Sequence, residues 1–196
     1  RKSMLSFKES LKILKETNAL IEGHFILSSG LHSDKYIQCA KLLSVPNKAK
    51  DLCVSLAEKI SSSFSNFNLI LSPAIGGIII GYELGKILNV EAIFAERVDN
   101  KFQLRRGFEI NENSKILIVE DVITTGKSSL ECSSLANKFN AEIVGFASLI
   151  DRSAGKSKIT KKIVSQVQLE IPTYSKDNIP ENLKKIKAIK PGSRNL

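Results

Sequence analysis

The architecture of this chain is best read from one segment, Ile116-Leu117-Ile118-Val119-Glu120-Asp121-Val122-Ile123-Thr124-Thr125-Gly126-Lys127-Ser128. Its uninterrupted apolar start is typical of a strand that is buried on both faces, as in a parallel sheet. Glu120 and Asp121 then fall at the carboxyl end of that strand, where open α/β sheets bind their ligands. The segment therefore predicts a parallel sheet with a binding site at this edge.

The turn that follows the two carboxylates favours a bound phosphate. Residues 124–128 place hydroxyl and backbone N–H groups at the start of a predicted helix, where the helix dipole and unpaired donors attract anions. The carboxylates of Glu120 and Asp121 suit ribose hydroxyls, or a diphosphate that carries Mg²⁺. Together these groups predict a site for a phosphorylated sugar.

Two other interpretations of this segment are weaker. Gly126-Lys127-Ser128 matches the end of a nucleotide-binding P-loop, but that motif needs a glycine where this chain has Asp121, which would repel phosphate. An ordinary buried strand with a capped helix would leave two adjacent acids at the strand end without a ligand, which is costly.

Composition predicts one α/β domain, 1–196, with 42% hydrophobic and 25% charged residues. We expect a hood mainly at 18–45, a core at about 46–155 and a C-terminal segment at 156–196. Pro73 and Glu83 interrupt the longest apolar region, and the N-terminal residues are charged, so we expect neither a membrane span nor a signal peptide. Three cysteines without a Cys-x-x-Cys pair predict no zinc site and a cytoplasmic location.

The net charge of +9 raises the question of a nucleic-acid partner. The chain has no tryptophan and three tyrosines, and no aromatic residues alternate with its basic clusters, as a stacking surface for bases would require. We therefore predict no nucleic-acid partner. A basic surface would instead help to attract polyanionic substrates.

Hydrophobic periodicity predicts that strands alternate with helices along the chain. The predicted order is helix 7–17, short strands near 25–27 and 35–39, helix 49–61, strand 69–71, helix 77–88, strand 91–95, strand 115–120, helix 128–139 and strand 143–150. This alternation favours a parallel sheet of about five strands flanked by helices, with a small N-terminal hood.

Two further segments belong with the phosphosugar motif. Ser72-Pro73-Ala74-Ile75-Gly76-Gly77 is a second glycine-rich turn, which follows a strand and opens a helix. Residues 97–106, here called the lid segment, are polar and carry several cations, and we predict that they form a mobile lid. A cationic lid could neutralise a departing diphosphate and exclude water.

The run Val119-Glu120-Asp121-Val122-Ile123-Thr124-Thr125-Gly126 resembles the diphosphate-ribose signature of the type I phosphoribosyltransferases. Residues 7–192 as a whole resemble the branch of that family that uses orotate. The resemblance implies transfer of the phosphoribosyl group of phosphoribosyl pyrophosphate to orotate, which yields orotidine 5′-monophosphate in pyrimidine synthesis. It also implies Mg²⁺ held mainly through the substrate diphosphate, with no direct protein ligand, and a homodimer whose lids serve neighbouring subunits.

The same resemblance implies roles for individual residues. The catalytic residues would be Lys101, Arg97 and Asp121. The phosphoribosyl pyrophosphate would be bound by Glu120, Asp121, Val122, Ile123, Thr124, Thr125, Gly126, Lys127, Ser128, Arg97, Lys101, Ala74, Ile75 and Gly76. Orotate would contact Thr124, Arg152, Tyr36 and Ile37. Arg152 is chemically apt, because a guanidinium binds a carboxylate through two hydrogen bonds. Many relatives have lysine and histidine where this chain has Val98 and Gln103.

Two alternatives share the phosphosugar motif. A purine-salvage phosphoribosyltransferase would need no arginine for an acceptor carboxylate, and its turnover of hypoxanthine or adenine would identify it. A non-enzymatic regulator of the same fold would bind phosphoribosyl pyrophosphate without turnover, and its affinity for RNA or DNA would fall steeply with salt.

Overall fold

The computed structural model of the protein describes residues 4–191. The ends of the predicted domain, 1–3 and 192–196, lie outside the described residues. The helices are α1 Phe7–Glu16, α2 Cys39–Leu43, α3 Pro46–Ser63, α4 Gly76–Leu88, α5 Lys127–Asn137 and α6 Glu181–Lys184. The strands are β1 Leu20–Ile26, β2 His32–Ile37, β3 Leu69–Pro73, β4 Glu91–Val98, β5 Lys101–Leu104, β6 Lys115–Ile123, β7 Glu142–Asp151 and β8 Ile163–Gln168.

The core is a sheet with the strand order β5-β4-β3-β6-β7-β8. The strands from β4 to β8 in this order run parallel, and β5 pairs antiparallel with β4 at the edge. The predicted α/β class, with about five parallel strands flanked by helices, is confirmed. Strand β6, which carries Glu120, lies between β3 and β7 in the sheet. Its carboxyl end is therefore flanked by a strand on each side.

Strand β6 is buried on both faces, as its apolar sequence predicted. Leu117 and Val119 pack in one hydrophobic cluster, with side chains of α3 and α4. Ile116 and Ile118 point to the opposite face and pack in a second cluster, with Cys132 and Leu135 of α5. Because both faces are covered by helices, the polar end of β6 is the place where this strand meets solvent or a ligand.

Two strands were not predicted from the sequence. Ser165 and Gln166 interrupt the apolar pattern of β8, which extends the sheet beyond residue 155. No strand was predicted in the lid segment, 97–106, but the end of β4 and the whole of β5 form a hairpin over residues 97–104. The hairpin turns at Asp99 and Asn100, whose φ angles of 49° and 63° suit a type I′ turn.

The hood combines an N-terminal hairpin with two positions from the C-terminal part of the described residues. Strands β1 and β2 form an antiparallel pair, and single bridges join Phe25 to Ile189 and His32 to Tyr174. The buried rings of His24 and His32 are hydrogen-bonded, with 2.6 Å between Nε2 and Nδ1. We predicted the hood mainly at residues 18–45, since pairing over such a sequence distance leaves no local pattern.

Each helix in residues 4–191 is too short or too polar to cross a lipid bilayer.

Candidate functional site

The two predicted ligand loops meet at the carboxyl end of the sheet. Gly76, at the start of α4, lies against the side chain of Asp121, at the end of β6. A Cβ atom on Gly76 would stand 2.9 Å from each carboxylate oxygen of Asp121. Glycine is therefore the residue that allows the loop of Ala74, Ile75 and Gly76 to approach Asp121 this closely.

Burial perturbs both carboxyl groups of this edge. Burial raises the pKa of Glu120 to about 7, the hydroxyl of Ser129 opposes the rise, and the charge of Asp121 adds to it. Ser129 Oγ donates to Glu120 Oε2 at 2.7 Å. Burial also raises the pKa of Asp121, against a hydrogen bond from the backbone N–H of Val122 at 2.8 Å. Perturbed carboxyl groups at a sheet edge are characteristic of a binding or catalytic site.

The raised pKa of Glu120 predicts that this residue makes stability depend on pH. A carboxyl group with a raised pKa in the folded state stabilises the fold at acid pH, and that contribution is lost as pH rises through about 7. We therefore expect Glu120→Gln to increase the free energy of unfolding relative to wild type at pH 8, by on the order of 1–3 kcal/mol, and much less at pH 5.

Urea denaturation at both pH values measures this difference. Glu112→Gln removes an exposed carboxylate near the other end of β6 and controls for the change in net charge. A stability difference for Glu120→Gln that is equal at pH 5 and pH 8 would contradict the prediction.

The turn between β6 and α5 has the geometry expected of a phosphate loop. Gly126 precedes the first residue of α5 with a φ of 85°, and a Cβ there would meet Ile159 at 2.8 Å. Thr125 Oγ1 accepts a hydrogen bond from the backbone N–H of Lys127 at 3.2 Å. The side chains of Thr124, Thr125 and Lys127 are exposed beside the carboxylates. This turn therefore offers hydroxyl groups at the N-terminus of a helix.

The lid cations lie beside α5 of their own chain. Arg97 donates to Glu131 Oε2 at 2.7 Å and to Ser128 Oγ at 3.4 Å, and its guanidinium covers the ring of Phe102 at 4.1 Å. Lys101 pairs with Val98 in the hairpin, and its side chain is exposed. The structure thus brings Arg97 next to Ser128, whereas the side chain of Lys101 forms no ion pair among the described residues.

The predicted acceptor residues are divided between the hood and the end of β7. The backbone N–H of Arg152 donates to Ile123 O at 2.9 Å, and within residues 4–191 its guanidinium forms no ion pair. Burial lowers the pKa of Arg152. Tyr36 is half-buried beside the ring of Phe25, and Ile37 packs into the main core. Cys39, directly after the hood strands, has its Sγ 4.0 Å from Asp121 O and links the hood to the site.

Sequence reasoning missed two residues that support the site. Ser129 holds the carboxylate of Glu120, and Glu131 holds the guanidinium of Arg97. Ser129 is buried on the core face of α5, where a hydroxyl needs a partner, and that position could have identified it. The pairing of Glu131 with Arg97 spans 34 residues and has no local signal.

Comparisons with known proteins agree with this geometry. A family model described as "Phosphoribosyl transferase domain" matches residues 43–179. An orotate phosphoribosyltransferase of Erythrobacter litoralis is 43% identical over 188 residues, which cover 95% of this chain and 97% of that protein. Another, of Carboxydothermus hydrogenoformans, is 44% identical over 183 residues, which cover 93% of this chain and 96% of that protein.

Solved structures share the fold at lower identity. The crystal structure of orotate phosphoribosyltransferase from Aeropyrum pernix aligns with a TM-score of 0.70 and 22% identity, over 81% of this chain and 92% of that chain. Adenine phosphoribosyltransferase from Trypanosoma brucei aligns with a TM-score of 0.62 and 15% identity, over 84% of this chain and 82% of that chain. The match of the family model and the full-length identity to curated relatives, together with two ligand loops that meet at Asp121, mean that this chain belongs to the phosphoribosyltransferase family and, within it, to the orotate phosphoribosyltransferases.

Proposed function

We propose that the protein transfers the phosphoribosyl group of phosphoribosyl pyrophosphate to orotate and releases orotidine 5′-monophosphate and pyrophosphate, as a step of pyrimidine synthesis. The observation that carries this proposal is identity of about 44% to orotate phosphoribosyltransferases over nearly the whole chain. The close approach of Gly76 to Asp121 supports it, because a diphosphate and a ribose could then be bound by adjacent loops.

The chemistry needs positioning and charge stabilisation but no nucleophile from the protein. The anomeric carbon becomes cation-like as pyrophosphate leaves, and a ring nitrogen of orotate attacks from the opposite face. In our proposal, residues 124–128 hold the 5′-phosphate, and Glu120 and Asp121 accept hydrogen bonds from the ribose hydroxyls. Arg97 and Lys101 stabilise the negative charge that develops on pyrophosphate.

Mg²⁺ fits this site, because it prefers hard oxygen ligands and would be held mainly by the oxygens of the substrate diphosphate, next to the two carboxyl groups. When bound, the ion would neutralise charge on the diphosphate. Asp121 and Glu120 would face such a complex, and Ala74, Ile75 and Gly76 would provide the backbone of the loop beside it. Burial raises the pKa of both carboxyl groups, and a nearby cation would favour their ionised forms.

The acceptor would be recognised through its carboxylate. Among the described residues the guanidinium of Arg152 has no ion-pair partner, so it is available to bind an anion, and its partial burial would strengthen that contact. Thr124 lies on the loop after β6, and Tyr36 lies in the hood. We propose that these two parts enclose the pyrimidine ring. Ile37 packs in the core, so we propose that it supports the position of Tyr36 beside the ring.

Arg152→Ala should weaken orotate selectively. Loss of a charge-assisted contact with two hydrogen bonds costs about 1.5–3 kcal/mol, so we expect the KM for orotate to rise roughly 10- to 100-fold. The KM for phosphoribosyl pyrophosphate should change much less. Steady-state kinetics with each substrate varied in turn provide the measurement, and Lys156→Ala, which removes an exposed cation from the same loop between β7 and β8, is the control. An unchanged KM for orotate would make Arg152 a surface residue and favour a purine acceptor.

We propose that the protein acts as a homodimer in which the lid segment serves the neighbouring subunit. An apolar face of α4 and its preceding loop supports this, because Ile75, Ile79 and Tyr82 are 86%, 53% and 65% exposed at helical spacing. A second copy of the chain would cover this face. We place the reaction in the cytoplasm, in keeping with three cysteines that form no disulfide among the described residues.

The decisive experiment follows the absorbance of orotate after phosphoribosyl pyrophosphate and Mg²⁺ are added. We expect the absorbance to change as orotidine 5′-monophosphate forms, and we expect no turnover of hypoxanthine or adenine. Turnover of a purine would favour the salvage alternative. Binding of phosphoribosyl pyrophosphate without turnover of any base would favour the non-enzymatic regulator.

A further inference from the structure

The loop between β7 and β8, residues 152–162, lies against the turn between β6 and α5. Two of its backbone N–H groups donate to the chain around that turn. Arg152 N–H donates to Ile123 O, and Lys158 N–H donates to Thr125 O, each at 2.9 Å. The turn that we propose to bind phosphate is therefore held from behind by a second loop.

Ile159 is the apolar contact between this loop and the turn. Gly126 is buried, and a Cβ atom on it would stand 2.8 Å from Ile159 Cγ1 and 3.0 Å from Ile159 Cδ1. Gly126 also begins α5, because its carbonyl oxygen accepts from the backbone N–H of Leu130 at 2.9 Å. Ile159 therefore packs against the residue at which the turn becomes a helix.

The sequence of the loop makes Ile159 conspicuous. Residues 152–162 read RSAGKSKITKK, so Ile159 is the one large apolar residue among basic and small polar ones. Its neighbours Lys158 and Thr160 are exposed, whereas Ile159 itself is 8% exposed and packs in the hydrophobic cluster that includes Ile123. Burial of one isoleucine on another element stabilises the position of an otherwise exposed loop.

The turn itself faces solvent with the groups that would bind phosphate. Thr124, Thr125 and Lys127 are exposed, and Thr125 Oγ1 accepts from the backbone N–H of Lys127. An anion is bound well when several N–H groups already point to one position, and ordering them during binding costs affinity. A side chain that orders the turn beforehand would therefore strengthen phosphate binding.

The part of the loop that carries Arg152 has its own support. Asp151 Oδ1 accepts from the backbone N–H of Ser153 at 2.8 Å, and Ser153 O accepts from the N–H of Lys156 at 2.9 Å. These contacts form a local turn directly after β7 and do not involve Ile159. The position of the acceptor arginine and the position of the phosphate turn can thus be separated by experiment.

We propose that Ile159 is a positioning residue for the 5′-phosphate of the substrate. It contacts Gly126 and not the phosphate, and it holds residues 124–128 in the conformation that binds the anion before the substrate arrives. This role rests on the proposed function, in which those residues bind the 5′-phosphate. Ile159 should then contribute to affinity only for ligands that carry this phosphate.

The test measures by calorimetry the binding of two ligands, orotidine 5′-monophosphate and orotidine, which lacks the phosphate. Ile159→Ala removes both atoms that lie next to Gly126, and Ile159→Val removes only Cδ1. Ile110→Ala is the matched control, because Ile110 is 5% exposed in the same hydrophobic cluster but precedes β6, whereas the turn follows β6. Thermal unfolding checks that each variant is folded at the temperature of the measurement.

We expect Ile159→Ala to raise the Kd for orotidine 5′-monophosphate about tenfold or more, and the Kd for orotidine about twofold or less. Ile159→Val should raise the Kd for orotidine 5′-monophosphate about two- to threefold, and this variant decides the matter if Ile159→Ala does not fold. Ile110→Ala should lower the midpoint of thermal unfolding about as much as Ile159→Ala, because both leave a cavity in the same cluster. Its two dissociation constants should stay within about twofold of wild type.

Equal losses for the two ligands would overturn the proposal, because Ile159 would then support the whole loop, Arg152 included. Unchanged affinity for orotidine 5′-monophosphate in the folded Ile159 variants would also overturn it, as would an equal loss in Ile110→Ala. Phosphoribosyl pyrophosphate carries the same phosphate, and its binding to wild type and Ile159→Ala is measured without any base. If wild type does not turn over orotate but Ile159→Ala still loses affinity for phosphoribosyl pyrophosphate, the proposed function fails while the role of Ile159 stands.

Discussion

Lys101→Ala is expected to lower kcat by a factor of roughly 10²–10³ and to change the dissociation constants of both substrates much less. This is the scale observed when one preorganised electrostatic donor is removed, and it applies if Lys101 meets pyrophosphate only as the bond breaks. The exposed position of Lys101 on the hairpin suits such a role, since no described ion pair has to be broken first. Lys50→Ala, an exposed lysine of α3, serves as the control.

Subunit mixing tests where Lys101 acts. If the lid serves the neighbouring subunit, Lys101→Ala protein mixed with Asp121→Asn protein should regain activity, because one site of each mixed dimer combines an intact lid with an intact pocket. For equal and random exchange the ceiling is about one quarter of wild-type activity, since half of the dimers are mixed and half of their sites are intact. Failure to regain activity despite proven exchange would mean that Lys101 acts within its own subunit or does not act.

Asp121→Asn should lower kcat/KM for phosphoribosyl pyrophosphate by roughly 10- to 100-fold, which corresponds to the loss of about 1.5–3 kcal/mol for a charge-assisted hydrogen bond. The fold should persist, because asparagine is nearly isosteric beside Gly76 and can still accept the N–H of Val122. Without ligand, the free energy of unfolding of the variant should equal that of wild type or be slightly higher, since burial disfavours the ionised form of Asp121.

Steady-state kinetics and urea denaturation measure the two effects of Asp121→Asn. Asp151→Asn provides a matched control, because Asp151 also lies near the carboxyl end of a parallel strand and also accepts a backbone N–H, that of Ser153, at 2.8 Å. If the Asp151 variant lost as much activity as the Asp121 variant, the effect would reflect the sheet edge in general. Unchanged kinetics in Asp121→Asn would remove Asp121 from the proposed site.

Local pattern was enough to predict the central strand and the two carboxyl groups near its carboxyl end. The apolar run from Ile116 to Val119 required burial on both faces, and burial on both faces required helices on both sides of a parallel sheet. The carboxylates and the turn with Gly126 follow directly in the chain, so their order alone was enough to predict a phosphosugar site there. These features are encoded within a few consecutive residues, where propensity and periodicity act.

Contacts between distant residues were decided only by the tertiary structure. The Asp99-Asn100 turn made a hairpin of a segment that appeared irregular, and the hood acquired a C-terminal half through the bridges at Ile189 and Tyr174. Glu131 came to hold Arg97, and Gly76 came to lie against the side chain of Asp121. The physical reason is that each of these arrangements depends on the packing of several elements, and no single segment carries a signal for its partner.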